Sequence, residues 1–197
     1  MGTDYPVKIV LIGAQCTGKT SVMNNLPEKW KSIGIREVIR TLTAQDENVH
    51  INANGDEWSQ NRFFMEYLYL FAKYPEYISD RGLMDVVAYT KWLSKIGRVS
   101  EACYEKQMII LKDWLNNHQD VVHIYFPITF GMVDDGYRDT NTSNRTLVDQ
   151  CIQEVITELQ EAGCTNPIHT IKGKTIEERV KEISLLADII AATKKVG

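Results

Sequence analysis

Residues 13–20 read Gly-Ala-Gln-Cys-Thr-Gly-Lys-Thr, a full match to the pattern G-x-x-x-x-G-K-[ST]. Their flanks restrict what the chain can build around them. Ahead of the motif, Val7 to Ile12 (VKIVLI) is β-branched and almost continuously apolar, as in a central strand buried on both faces of a parallel sheet. Behind it, Lys19 to Leu26 suits a short helix, and Pro27 ends that helix or turns the chain away. Strand, glycine-bounded loop and helix in that order make a cradle for an anion. Gly13 and Gly18 let the backbone curl so that successive N–H groups face phosphate oxygens, and the helix N-terminus adds positive potential. Gly13, Ala14, Gln15, Cys16, Thr17, Gly18, Lys19, Thr20 and Ser21 are the expected phosphate-binding residues. Lys19, expected to be a solvated cation in the free protein, would reach the β and γ phosphates, and Thr20 Oγ1 would ligate Mg²⁺. Cys16 reads as a small side chain that fits the loop, with a reactive thiol at the helix start as the alternative.

The rest of the chain alternates strand and helix patterns. Ile35–Ile39 reads as a second strand and Ala44–Asp56 as a polar loop. Glu57–Lys73 reads as a helix, with Phe64, Tyr67, Leu68 and Phe71 on one face. A third strand, Tyr77–Ser79, stops at Asp80-Arg81-Gly82, and helices near 83–95 and 100–117 are split by Gly97. Val121–Phe126 is a buried strand closed by Pro127. Leu147, Val148, Cys151, Ile152, Val155, Ile156 and Leu159 form a helical stripe. Pro167–Ile171 is a weak last strand, and Thr175 to Glu178 carries a capping-box pattern opening the final helix. This alternation predicts an α/β fold of three layers, a parallel central sheet with helices on both faces. No repeat or linker interrupts it, so residues 1–197 read as one domain, with a polar lid at about 129–143.

Composition narrows the class. Charged residues are 24% and the hydrophobic set 44%, which are globular values, and the net charge of −4 gives no general footprint for nucleic acid. No apolar run is long enough to span a membrane, and residues 1–6 lack a signal-peptide core. Cysteines 16, 103, 151 and 164 fit neither a zinc ribbon nor a disulfide framework, so they read as reduced thiols of a cytoplasmic protein. His50, His118, His123 and His169 are dispersed and show no metal motif.

Further chemistry is expected where strands end, because there the chain faces the bound phosphate. Glu37 and Arg40 close the second expected strand; Glu37 is a candidate to orient an acceptor hydroxyl and take its proton, with a surface ion pair as the plain reading. Asp80 can hold Mg²⁺ and Arg81 can bind phosphate, against a buried Asp–Arg turn pair. Arg138 and Arg145, in a polar loop running into a helix and off its core face, suit a closing lid, against solvated surface charges. Trp58, Phe63, Phe64, Tyr67, Tyr69 and Phe71 are mostly core by their spacing, though a base could stack on one of them.

The order GAQCTGKT, REVIR, SDRGLMDVVAY and DDGYRDTNTSNR resembles the small P-loop kinase group, which includes ribosylnicotinamide-kinase-like domains and phage nucleoside, nucleotide and DNA-base kinases. That resemblance implies ATP as phosphoryl donor, Mg²⁺ as cofactor, and a nucleoside-like small molecule as acceptor. It places Glu37 at the acceptor, Asp80 and Arg81 near Mg²⁺ and phosphate, and Arg138 and Arg145 in the lid. A homodimer is compatible with the group. Deoxynucleoside kinases carry serine after the corresponding arginine, where this chain has Gly82. Phage kinases acting on 5-hydroxymethyluracil in DNA also resemble the chain, which makes modified DNA the alternative acceptor. A P-loop ATPase or switch module that binds a protein is the rival of another class; the N-K-x-D guanine motif of a switch GTPase is missing.

Overall fold

In the computed structural model, which describes residues 6–36, 38–129 and 142–193, the expected central strand is β1 (Lys8–Ile12). It is followed by α1 (Lys19–Asn25), the single turn α2 (Glu28–Lys31), β2 (Gly34–Ile35) and α3 (Val38–Gln45). A 3₁₀ turn at Asn52–Asn54 leads to α4 (Glu57–Lys73), β3 (Tyr77–Asp80), α5 (Leu83–Lys95) and α6 (Glu101–Asn117). The described chain continues with β4 (Val122–Tyr125), α7 (Thr142–Glu161), β5 (Ile168–Thr170) and α8 (Ile176–Thr193).

Among the described residues, the five strands run parallel, in the order β2-β3-β1-β4-β5. β1 sits in the middle, with Leu11 level with Asp80 on one side and Ile12 level with Tyr125 on the other. Alternation along β1 divides the core. Ile9 and Leu11 join Val22, Met23, Ile183 and Ala187 beneath α1 and α8. Val10 and Ile12 join Phe64, Val87, Leu111 and Val155 beneath α4 to α7. A strand with both faces covered must be apolar throughout, which is why VKIVLI reads as a continuous run.

The structure corrects the second strand. β2 is only Gly34–Ile35, and Val38 and Ile39 belong to α3. Val38 and Leu42, one turn apart, are the buried face of that helix. The β-branched run signals strand locally, but packing of one helical face overrides the weak propensity. Pro27 does end the first helix, and its carbonyl then accepts the Trp30 and Lys31 N–H groups of α2. Leu147 is 41% exposed although it lies on the predicted stripe; Val148, Cys151, Ile152, Val155 and Leu159 are buried as that stripe requires. Thr175 and Glu178 form the expected reciprocal cap, Thr175 Oγ1 accepting from Glu178 N and the Glu178 carboxylate accepting from Thr175 N. Of the lid segment, Thr142 and Ser143 belong to α7, and residues 130–141 lie outside the described residues.

Candidate active site

The phosphate loop joins the C-terminal end of β1 to the N-terminus of α1. Gly13 has φ +152°, and a Cβ there would lie 2.6 Å from the Phe126 carbonyl oxygen, so only glycine fits. Cys16 (φ 57°) and Gly18 (φ 93°) are left-handed on either side of Thr17, which is not. Alternating hand over consecutive residues curls the backbone so that its N–H groups line a concave surface, which is a nest for an anion. Gly18 also caps α1.

Lys19 is not solvated, contrary to the sequence expectation. It is 4% exposed, and its ammonium donates to Gly13 O (2.6 Å), Ala14 O (2.9 Å) and Thr17 Oγ1 (3.2 Å). The tight curl turns those carbonyls toward the side chain, which the pattern of residue types does not reveal.

Asp80 ends β3 and is 8% exposed. Its Oδ2 accepts from Thr20 Oγ1 at 2.6 Å, so the two expected metal ligands are in contact. The other oxygen, Oδ1, is buried and has no hydrogen-bond partner. A buried acceptor left open beside a hydroxyl and the phosphate loop suits a hard cation, and Mg²⁺ binds through one or two protein oxygens while phosphates and waters complete its shell. Among the described residues there is no cluster of three or more His, Cys, Asp or Glu that would hold a metal by protein ligands alone.

Arg81 has φ +91°, a strained backbone for a side chain with a Cβ. Its Nη1 lies 3.4 Å from Gly13 O and 3.5 Å from Asp85 Oδ1, and its guanidinium lies over the Tyr89 ring. The sequence reading missed Asp85. This carboxylate is buried at the start of α5 and accepts from Gly13 N (3.1 Å) and Gly82 N (3.2 Å), so it ties the phosphate loop to the Asp80-Arg81-Gly82 turn. Burial pushes its pKa up, against the pull of Arg81 and Lys19. A Cβ on Gly82 would lie 2.7 Å from Val10 Cγ1, which explains why serine does not occupy the position.

A cavity of about 120 Å³ adjoins the loop. Thr20, Asp80 and Arg81 form its wall on the phosphate side, and Arg40, Gln60, Phe63, Tyr67 and Tyr89 are among its other lining residues. Tyr89 donates to Gln15 Oε1 at 2.8 Å, which brings a loop side chain to the cavity. Phe63 and Tyr67 thus serve both core and cavity, Phe64 and Phe71 are core, and Trp58 and Tyr69 are exposed.

Arg145 departs from its expected setting. It lies in the first turn of α7, is 3% exposed, and its Nη2 donates to Cys16 O at 3.0 Å. A stripe counted from Leu147 leaves Arg145 off the core face; in the helix Leu147 is exposed and Arg145, three residues before Val148, continues the buried face. Glu37 and Arg138 lie outside the described residues. Sequence reasoning missed Arg179, which is fully buried in α8 and donates from Nη1 to Thr17 O at 2.7 Å. An arginine at an apolar-stripe position was the available signal.

A family profile described as an AAA domain matches residues 8–179. NadR in complex with NR shares the fold at a TM-score of 0.70 and 13% identity, over 93% of this chain and 51% of that one. NadR in complex with NAD and AMP-PNP gives 0.66 and 10%, over 95% and 50%. The chain thus spans about half the length of these NadR chains. Deoxyadenosine kinase from M. mycoides, with products dCMP and a flexible dCDP bound, gives 0.62 and 13%, over 92% and 99%. No curated protein sequence matches the chain.

Proposed function

This chain belongs to the AAA-domain family, and from that premise we propose that it is an ATP-dependent phosphotransferase that moves the γ-phosphoryl group to a nucleoside- or nucleotide-type acceptor. One observation carries the reading. The small cavity inside the phosphate loop and the larger cavity beside it share a wall made of Thr20, Asp80 and Arg81. A transferase needs a donor phosphate and an acceptor to meet across such a boundary, whereas an ATPase switch needs no second compartment. The aromatic and amide lining of the larger cavity suits a planar, hydrogen-bonding acceptor. The solved structures that share the fold point the same way: one of the NadR chains is in complex with NR, and the M. mycoides structure is of a kinase named for a nucleoside.

In this reading the loop N–H groups and Lys19 hold the phosphates. Thr20 and Asp80 would hold Mg²⁺, which neutralises phosphate charge when bound. Arg81, at the shared wall, adds positive charge where the transferred group passes. Glu37 immediately precedes, in sequence, Val38, Ile39 and Arg40, which line the larger cavity. Its carboxylate is our candidate to orient the acceptor hydroxyl. A bond forms between the acceptor oxygen and the γ phosphorus, the bond to the β–γ bridging oxygen breaks, and the hydroxyl proton goes to Glu37.

Incubation with γ-labelled ATP and a panel of nucleosides, nucleoside monophosphates and DNA containing 5-hydroxymethyluracil tests this. Label is expected on a small acceptor, with ATP turnover slow until that acceptor is added. Glu37→Gln should suppress the acceptor-stimulated rate and leave ATP affinity unchanged. Label on the DNA alone would move the acceptor to a polymer. Fast turnover indifferent to every acceptor and to Glu37→Gln would overturn the transferase reading in favour of an ATPase module.

A further inference from the structure

We propose that Arg179, together with Arg145, is a positioning residue that aims the N–H groups of the phosphate loop by holding the carbonyl oxygens on the opposite side of the same peptides. The proposal rests on the phosphate-loop reading above and extends it to two residues from the C-terminal third of the chain.

Arg179 lies in α8 and is 0% exposed. Its three kinds of N–H reach three loops at the carboxyl edge of the sheet. Nη1 donates to Thr17 O in the loop after β1 (2.7 Å). Nη2 donates to Thr129 Oγ1, after β4 (2.7 Å), and Nε to Gly173 O, after β5 (2.8 Å). The guanidinium also lies 5.4 Å from the centre of the Phe126 ring, and Phe126 is the residue whose carbonyl a Cβ on Gly13 would strike. Arg179 therefore supports the phosphate loop twice, by a hydrogen bond to Thr17 and by packing through Phe126. Arg145 reaches the neighbouring carbonyl, Cys16 O, from α7.

The consequence follows from peptide geometry. In a trans peptide the C=O of one residue and the N–H of the next point to opposite sides of the chain. Holding Cys16 O and Thr17 O outward, on two buried guanidinium groups, turns the N–H groups of Thr17 and Gly18 the other way, into the concave side that the alternating backbone hand creates. A cationic donor on the carbonyl also polarises the peptide and strengthens its N–H as a donor to an anion. The planar fork explains the residue type, because only arginine offers rigid donors in three directions; lysine has one rotatable head.

Donors fixed in this way serve the bound nucleotide and the transition state alike, so their loss should appear in binding more than in turnover. This differs from an arginine that contacts the moving phosphoryl group. The test is calorimetric titration of ADP and of a non-hydrolysable ATP analogue into the full chain, with steady-state kinetics beside it, for the wild type, Arg179→Lys and Arg145→Lys. Each variant is expected to bind both nucleotides at least tenfold more weakly, by a similar factor. KM for ATP should rise by that factor while kcat at saturation changes less than threefold. Should Arg179→Lys fail to fold, Arg145→Lys, on another helix, carries the same expectation. Unchanged dissociation constants in folded variants, with only a lower melting temperature, would make the arginines structural and overturn the proposal. A fall in kcat with binding intact would overturn it in favour of direct contact with the transferred group. If the wild type binds neither nucleotide, the phosphate-loop reading fails and takes this one with it; wild-type binding with unaffected variants sinks this proposal alone.

Discussion

Thr20 and Asp80 lie 60 positions apart in sequence, yet Thr20 Oγ1 donates to Asp80 Oδ2 at 2.6 Å while the second carboxylate oxygen stays buried without a partner. An open acceptor in a dry site is costly unless something cationic completes it. Asp80→Asn keeps the shape and removes the charge. Phosphoryl transfer should fall at least tenfold (about 1.4 kcal/mol or more), and the Mg²⁺ concentration giving half-maximal rate should rise. A Mg²⁺ titration of the rate shows this, and normal activity with a normal Mg²⁺ requirement would leave Asp80 a structural residue.

Lys19 supplies the cation at the loop centre. Lys19→Ala should abolish transfer but leave a folded protein, because neither carbonyl it serves is abandoned. Ala14 O still accepts from Thr17 Oγ1 at 3.0 Å, and Arg81 remains near Gly13 O. Circular dichroism and a melting curve beside the activity assay check both halves, and undiminished turnover would remove the basis for the phosphate-loop reading.

Gly13→Ala should do the reverse and harm the fold first. The added methyl would meet Phe126 O at 2.6 Å and force an unfavourable φ. Overpacking of this kind costs about 1–3 kcal/mol. A lower urea midpoint with an unchanged slope, together with lost nucleotide binding, is the expected result; a midpoint equal to that of the wild type would contradict the geometry.

His123 gives a pH dependence unrelated to catalysis. It is 3% exposed within β4, and burial pushes its pKa down from 6.5 to about 4. The folded state therefore favours the neutral ring. The stability associated with that preference is complete above pH 6.5, falls as the pH drops from 6.5 toward 4, and changes no further below that. At about 1.36 kcal/mol per pKa unit, the loss is about 3 kcal/mol. His123→Leu should flatten this limb of the stability–pH curve. Parallel wild-type and variant curves between those limits would show that the ring does not carry the effect.

The helices α4, α5 and α6 and the cap of α8 were legible because their signals are local. Polar and apolar residues repeat at 3.6 positions, and Thr175 and Glu178 form their cap within a single turn. β2 was overextended because Ile35, Val38 and Ile39 fit a strand as well as a helix, and only the burial of Val38 and Leu42 decides between them. The site divides in the same way. The phosphate loop is a contiguous motif whose glycines and lysine must stand at fixed spacing, so the sequence by itself determined its place after a buried strand. What surrounds the loop had no such spacing. Asp85 reaches Gly13 across 72 positions, Arg145 reaches Cys16 across 129, and Arg179 reaches Thr17 across 162. Their partners are backbone atoms, which every residue possesses, so the identity of the residue at the other end leaves no trace in the pattern. Only the parallel sheet, by bringing the carboxyl ends of β1, β3, β4 and β5 to one edge, places these buried charges against the loop, and burial makes their hydrogen bonds obligatory.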